Sequence, residues 1–199
     1  QYIAALKSGK YDLHNVSLLM SQTGGVCRAS NYVGFIRKAL KDAGFENIPV
    51  IAVSAQGIER NPGFTYSIGM LRKGVMAILY GDLIMRLLYR VRPYEKIEGS
   101  ANILAKQWVL KCTESIKKGS KRQFNENVSK MVKAFDELEI DKGVVKPKVG
   151  VVGEILVKYH PMANNNLVEL LESEGAEAVV PDLTDFLLYS CYGLIFGHK

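Results

Sequence analysis

Residues 16–54 read VSLLMSQTGGVCRASNYVGFIRKALKDAGFENIPVIAVS, and their reading decides the fold class. The two ends, residues 16–20 and 48–54, are short apolar runs bounded by polar turn residues, which is the pattern of strands covered on both faces. Between them, residues 29–43 carry Phe35, Ile36, Ala39 and Leu40 on one side of a helix that Gly44 closes. Strand, helix and strand in this order make a βαβ unit. The helical crossover returns the chain to the same end, so the two strands run parallel.

The pattern recurs near the end of the chain. Residues 148–154 (KVGVVGE) read as a third buried strand, residues 167–175 (LVELLESEG) as a helix closed by Gly175, and residues 176–181 (AEAVVP) as a fourth strand ended by Pro181. Residues 2–7 and 182–192 also read as helical. In residues 66–91, Ile68, Leu71, Val75, Leu79 and Leu83 recur at three- and four-residue spacing. That predicts one long helix, or two joined near Gly81, ended by Pro93. Two more helices follow over 101–117, through Leu104, Trp108, Cys112 and Ile116, and over 124–138, through Phe124, Val128, Met131, Phe135 and Leu138. The expected fold is α/β: parallel sheet or sheets with flanking helices, built from βαβ units, in two lobes with a large helical connection. The expected segments are 1–65 for the first lobe, 66–141 for the connection and 142–199 for the second lobe, with KGVVKPK (142–148) as a hinge.

Composition narrows the class of protein. With 48% hydrophobic and 23% charged residues, the 199-residue chain has the make-up of globular material. Its longest apolar stretch, residues 74–88, is cut by Asp82 and Arg86, so no membrane span is expected. The opening QYIAALKSGKYD has neither the charged nor the apolar region of a signal peptide, and without an initiator Met it reads as a mature product or an excised piece. Three scattered cysteines make no disulfide framework, which points to a reducing, cytoplasmic setting. The net charge is +6, and Lys117, Lys118, Lys121, Arg122, Lys130 and Lys133 concentrate it in 115–135. This is a solvated helix face or a docking surface for a polyanion. Phe124 and Phe135 fit a core face rather than base stacking, so nucleic acid is not an expected partner.

Ligands of open α/β sheets bind beyond the carboxyl ends of the strands. Two loops lie there: SQTGGVCRASN (21–31) and GEILVKYHPMANNN (153–166). In the first, Gly24 and Gly25 allow a tight turn and close backbone approach to a ligand. Cys27 falls near a helix start, where the dipole and Arg28 favour a thiolate. It is either a metal or cluster ligand or a packed turn thiol. The spacing matches neither GxxxxGK[ST] nor GxGxxG. Cys112 sits on an apolar stripe and reads as core; Cys191, in LLYSCYG, is a second candidate ligand or a packed small residue. In the second loop, Glu154 is placed to accept amide hydrogen bonds, and His160–Pro161 fixes an extended turn. His160 suits acid–base work or loop fixing. Asn164, Asn165 and Asn166 offer one helix cap and two further amides. Neither a Ser-His-Asp order nor HExxH is present. A third cluster, YGDLIMRLLYRVRPYE (80–95), pairs Asp82 with Arg86 at four-residue spacing and ends in Arg90, Arg92 and Tyr94.

Taken together, SQTGGVCRASNY, YGDLIMRLLYRVRPYE and VGVVGEILVKYHPMANNNLVELLESEGAEAVVPDLTDF resemble the 2-hydroxyacyl-CoA dehydratase superfamily, most of all its large activase-related proteins. The resemblance runs over roughly residues 2–190. It implies a two-lobed α/β protein whose cysteines hold an iron–sulfur cluster, of the 4Fe–4S or a related type, between lobes. It implies an ATPase activase module, in the same or a partner chain, that supplies low-potential electrons for an acyl-CoA-type substrate. By the same resemblance Cys27, in the TGG-x-CRA turn, is the foremost cluster ligand, with Cys191 second. Gly24, Gly25, Arg28, Glu154, His160, Asn164 and Asn165 shape the cofactor site. The alternatives are a cluster-free regulatory or scaffold module, or a small-molecule-binding domain on the same fold. The chain has only three cysteines and no activase ATP site, which suggests a fragment.

Overall fold

A computed structural model describes residues 1–22, 28–53, 65 and 67–196, excluding the side chains of 190, 191 and 193–196. Gly24, Gly25 and Cys27 lie outside the described residues, as does the side chain of Cys191. The chain divides into two compact units, Gln1–Tyr66 and Ser67–Lys199. Among the described residues no helix is long and apolar enough to cross a membrane.

The first unit opens with α1 (Tyr2–Lys7), β1 (Leu18–Ser21) and a 3₁₀ turn (Arg28–Asn31), and continues through α2 (Tyr32–Asp42) to β2 (Val50–Val53). β1 and β2 pair in parallel, Leu18 opposite Val50 and Ser21 opposite Val53. α2 is the crossover that parallel pairing demands. Its end is set by Gly44 at φ +78°: the Gly44 amide donates to Lys41 O (3.1 Å) and the Phe45 amide to Leu40 O (2.8 Å). This pairing satisfies the free carbonyls of the last turn with the one residue type that adopts a left-handed backbone without strain. Leu6, Leu18, Leu40 and Ile48 form the core, flanked by Ile3, Ile36 and Phe45.

The second unit begins with three long helices, α3 (Ile68–Val91), α4 (Ser100–Lys118) and α5 (Lys121–Asp136). Then come β3 (Lys148–Gly150), α6 (Ile155–Tyr159), α7 (Leu167–Ser173), β4 (Glu177–Val179) and α8 (Leu183–Phe196). α3 runs unbroken through Gly81, because Tyr80, Leu83, Ile84 and Leu87 are all held in one core with α4 and α5. Tertiary packing outweighs the roughly 1 kcal/mol that a mid-helix glycine costs. That core contains Tyr80, Ala101, Ala105, Trp108, Cys112, Met131 and Phe135. It also buries a polar knot: Tyr80 Oη lies 3.1 Å from Ser115 Oγ and accepts a bond from Asn127 Nδ2 at 3.2 Å.

β3 and β4 pair in parallel, Lys148 opposite Glu177 and Gly150 opposite Val179. A smaller core of Val151, Val168, Ala178 and Val180 lies beside them, and α3 adds Met85 and Tyr89. A buried Arg92–Glu172 pair ties the helical layer to α7, with Arg92 Nε and Nη2 donating to the two carboxylate oxygens at 2.7 and 3.0 Å.

The fold is thus mixed α/β, mostly helical, with two small parallel sheets. β3 differs from its apolar sequence, since all three of its residues are exposed. With one neighbouring strand described, β3 has little to cover it, and burial starts only at Val151.

Candidate functional site

At the carboxyl edge of the first sheet, Gln22 spans the ends of the Gly24–Gly25–Cys27 loop. Its amide extends the ladder by donating to Val53 O (2.8 Å), and its Nε2 donates to Ser30 O in the 3₁₀ turn (3.0 Å). The backbone of Gln22 thus continues the strand pairing by one residue, and its side chain ties the strand end to the 3₁₀ turn. Arg28 opens the turn and is exposed. Beside it runs a groove of about 610 Å³ lined by Gln22, Ser30, Asn31, Gly34, Phe35 and Arg37. Gln22 Oε1 and Ser30 Oγ are buried there without a hydrogen-bond partner among the described residues. Buried polar atoms are nearly always paired, so these two mark the groove as a place for a donor-bearing molecule. Gln22 was not among the expected site residues. The available signal was an uncharged polar side chain one residue past a strand end.

At the carboxyl edge of the second sheet, the loop of residues 153–166 is held by its own polar residues. Glu154 caps α6, its Oε2 accepting from the Val157 amide at 3.0 Å. His160 ends α6 in an extended conformation (φ −105°, ψ 103°), as the following Pro161 requires, and its carbonyl accepts from the amides of Ala163 and Asn164. Asn164 joins two helices. Its Nδ2 donates to Val157 O and Lys158 O (3.0 and 3.1 Å), and its Oδ1 accepts from the Leu167 amide (3.2 Å). Asn165 and Asn166 are both left-handed, at φ +58° and +53°. Asparagine tolerates this conformation better than other side chains, which explains why three asparagines follow one another although only Asn164 caps. The space beside Asn164, Tyr159 and Tyr89 is about 40 Å³. That is room for a water or two, not for a substrate.

Next to this loop lies a charged cluster organised by α3. Asp82 does not pair with Arg86 as the four-residue spacing suggests. It reaches the start of α8 instead, where Oδ1 accepts from the Leu183 amide (3.0 Å) and Oδ2 from the Thr184 amide (2.8 Å) and hydroxyl. The free amides of a helix N-terminus outcompete a surface ion pair for the carboxylate. Arg86 turns to Asp182 (2.5 Å) and Asp185 (3.4 Å). Burial, reinforced by Asp82 and Asp185, raises the Asp182 carboxyl above its ordinary range despite Arg86. Burial and the same three carboxylates push the Tyr159 phenol up to about 12, so it stays protonated and donates to Pro181 O at 2.5 Å. The cluster binds α8 to α3 and leaves the phenol a hydrogen-bond donor rather than a base.

Cys112 is 3% exposed in the helical core, and burial pushes its thiol up to about 11. It is a packed apolar group at neutral pH and not a metal ligand. Among the described residues, no group of three or more His, Cys, Asp or Glu side chains is arranged to hold a metal ion. Comparison with family models, with curated proteins and with solved structures finds no match.

Proposed function

We propose that this chain is an α/β domain of an iron–sulfur protein related to the 2-hydroxyacyl-CoA dehydratases. In this reading it serves ATP-driven, low-potential electron transfer to an acyl-CoA or similar substrate in a cytoplasmic setting. The two compact units are then two lobes, each built on a βαβ unit, and Cys27 is a cluster thiolate with Cys191 as a second. The observation that carries the reading is the setting of TGGVCRA. In sequence it follows β1 and leads into the 3₁₀ turn before α2, and Gln22 ties the strand end to that turn. That is where α/β sheets hold ligands and where a thiolate is favoured.

The donor set does not complete a [4Fe–4S] cluster, which takes four thiolates. Burial removes Cys112, leaving two thiols of this chain. The remaining ligands then belong to a partner subunit or to another segment of a longer protein.

A second reading, a small-molecule-binding domain without a cluster, is favoured by the groove at Gln22 and Ser30. Anaerobic loading with iron and sulfide separates the two. The first predicts protein-bound iron that Cys27→Ser abolishes. The second predicts no bound iron in either protein.

A further inference from the structure

We infer that the turn between α4 and α5 is a built cationic docking surface for an acidic protein segment. This goes beyond the redox reading and does not depend on it.

The sequence concentrates charge there. Arg72, Lys73, Lys117, Lys118, Lys121 and Arg122 gather near the turn, and Glu114 and Glu126 are the acidic residues of the flanking helix ends. Those two neutralise Lys117 (2.6 Å) and Arg122 (2.9 Å). Lys118 and Lys121 are exposed and make no direct ion pair among the described residues, although Lys118 lies near enough to Glu114 to help lower its carboxyl.

The fold then fixes what the sequence supplies. Arg72 Nη2 donates to Gly119 O at 2.5 Å, and Lys73 Nζ donates to Lys117 O at 2.7 Å. Both α3 cations are thus drawn across to the end of α4, where helix carbonyls favour positive charge. They close over Gly119 so tightly that a Cβ there would lie 3.1 Å from Lys73 Cε and 3.2 Å from Arg72 Nη2. The glycine's φ of +68° makes any other residue strained there as well.

On the far side of the turn, α5 begins with Lys121 and Arg122 and has no acid in its first turn. Cations at a helix N-terminus oppose the dipole. An external carboxylate relieves that repulsion and neutralises lysine charge that no direct ion pair of the described residues offsets.

The chemistry favours carboxylates on a protein over single-stranded nucleic acid, and the duplex is left to the test. Phe124, the aromatic nearest the turn, packs against Tyr80 with ring centroids 4.6 Å apart, and Trp108 is buried. Among the described residues of this turn, no aromatic side chain is left for the bases of a single strand to stack on. Charges already positioned by hydrogen bonds lose less freedom on binding, which suits a charge-steered, salt-sensitive partner.

The test is fluorescence anisotropy of the whole chain with a labelled oligoglutamate peptide near physiological ionic strength, beside a DNA duplex of matched charge. Lys118→Glu with Lys121→Glu is expected to weaken peptide binding about tenfold or more. The same charge change at Lys106 and Lys142, elsewhere on the unit, is expected to change it about twofold or less. Gly119→Ala keeps the charge but displaces Arg72 and Lys73, so it too is expected to weaken binding, with melting curves confirming that the variant folds. Equal weakening by the Lys106/Lys142 pair overturns the inference, because the binding is then diffuse. Tighter binding of the duplex, or no peptide binding by the parent chain, also overturns it. If Gly119→Ala unfolds the chain, the two charge-reversal pairs decide alone.

Discussion

Asp82→Ala is the sharpest structural perturbation. The Asp82 carboxylate holds the first two amides of α8 and the Thr184 hydroxyl from another helix, about a hundred residues away in sequence. Removing a helix N-cap acceptor costs about 1 kcal/mol and up to about 2. Bonds to a charged acceptor lie toward the upper end, and water recovers part of the loss at a half-buried site. Removing one of three neighbouring carboxylates also relieves some repulsion on Asp182, worth less than about 1 kcal/mol where solvent screens it. The net expected loss is about 1 kcal/mol for Asp82→Ala. Asp82→Asn, which keeps one acceptor oxygen, is expected to lose about half that. Because the chain has two compact units, a single melting temperature mixes transitions. Hydrogen exchange read at the α8 amides isolates the effect. A loss of about 1 kcal/mol corresponds to about fivefold faster exchange over the first turn of α8. Exchange within about twofold of the parent would refute the reasoning, since α8 would then be anchored by something other than this cap.

Other perturbations test the helical layer. Phe135→Ala empties a site in the core and should cost about 3–5 kcal/mol in urea unfolding. Arg92→Ala leaves the mostly buried Glu172 carboxylate without its guanidinium and should cost about 3 kcal/mol or more, whereas Arg92→Met with Glu172→Met should recover much of it. Asp182 has a raised carboxyl pKa, so its folded form holds a proton more tightly than its unfolded form. Its contribution to stability is present at acid pH and is lost as pH rises through the window just above 3.8. A carboxyl-resolved NMR titration should place its midpoint above that value, and Asp182→Asn should flatten stability over that window. Cys112, raised from 9.0 to about 11, should resist alkylation in native protein near pH 8 and react only on unfolding; its contribution to stability falls as pH climbs from 9 toward 11.

Much of the framework is legible in the residues. Apolar runs at 16–20 and 48–54 with a helix between them become β1, β2 and α2, and Gly44 closes α2 as its position suggests, but of the expected face Phe35 and Ala39 are exposed and Val33 joins Leu40 inside. The stripe of Leu104, Trp108, Cys112 and Ile116 packs into the helical core. Other features depend on neighbours that no local pattern reveals. Gly81 continues a helix because its flanking residues pack against α4 and α5. The Asp82–Arg86 spacing predicts a pair on one helix, but Asp82 goes to α8 and Arg86 to Asp182, both supplied by a segment far along the chain. The short helix α6 (Ile155–Tyr159) was also not legible, because five residues are too few to show a period and Glu154 and Asn164 define its ends only once the loop has folded. Of the candidate site, the legible part is which loops lie at the strand ends. The clamp by Gln22 and the orphaned Ser30 hydroxyl needed the fold.

The proposal turns on Cys27, and the most direct measurement is iron and sulfide retained after anaerobic loading and desalting, in the presence of a small thiol that can complete the coordination. The account predicts bound iron in the parent chain and in Cys112→Ser, and its loss in Cys27→Ser. Iron no higher than in an unloaded blank, or iron unchanged by Cys27→Ser, would contradict it.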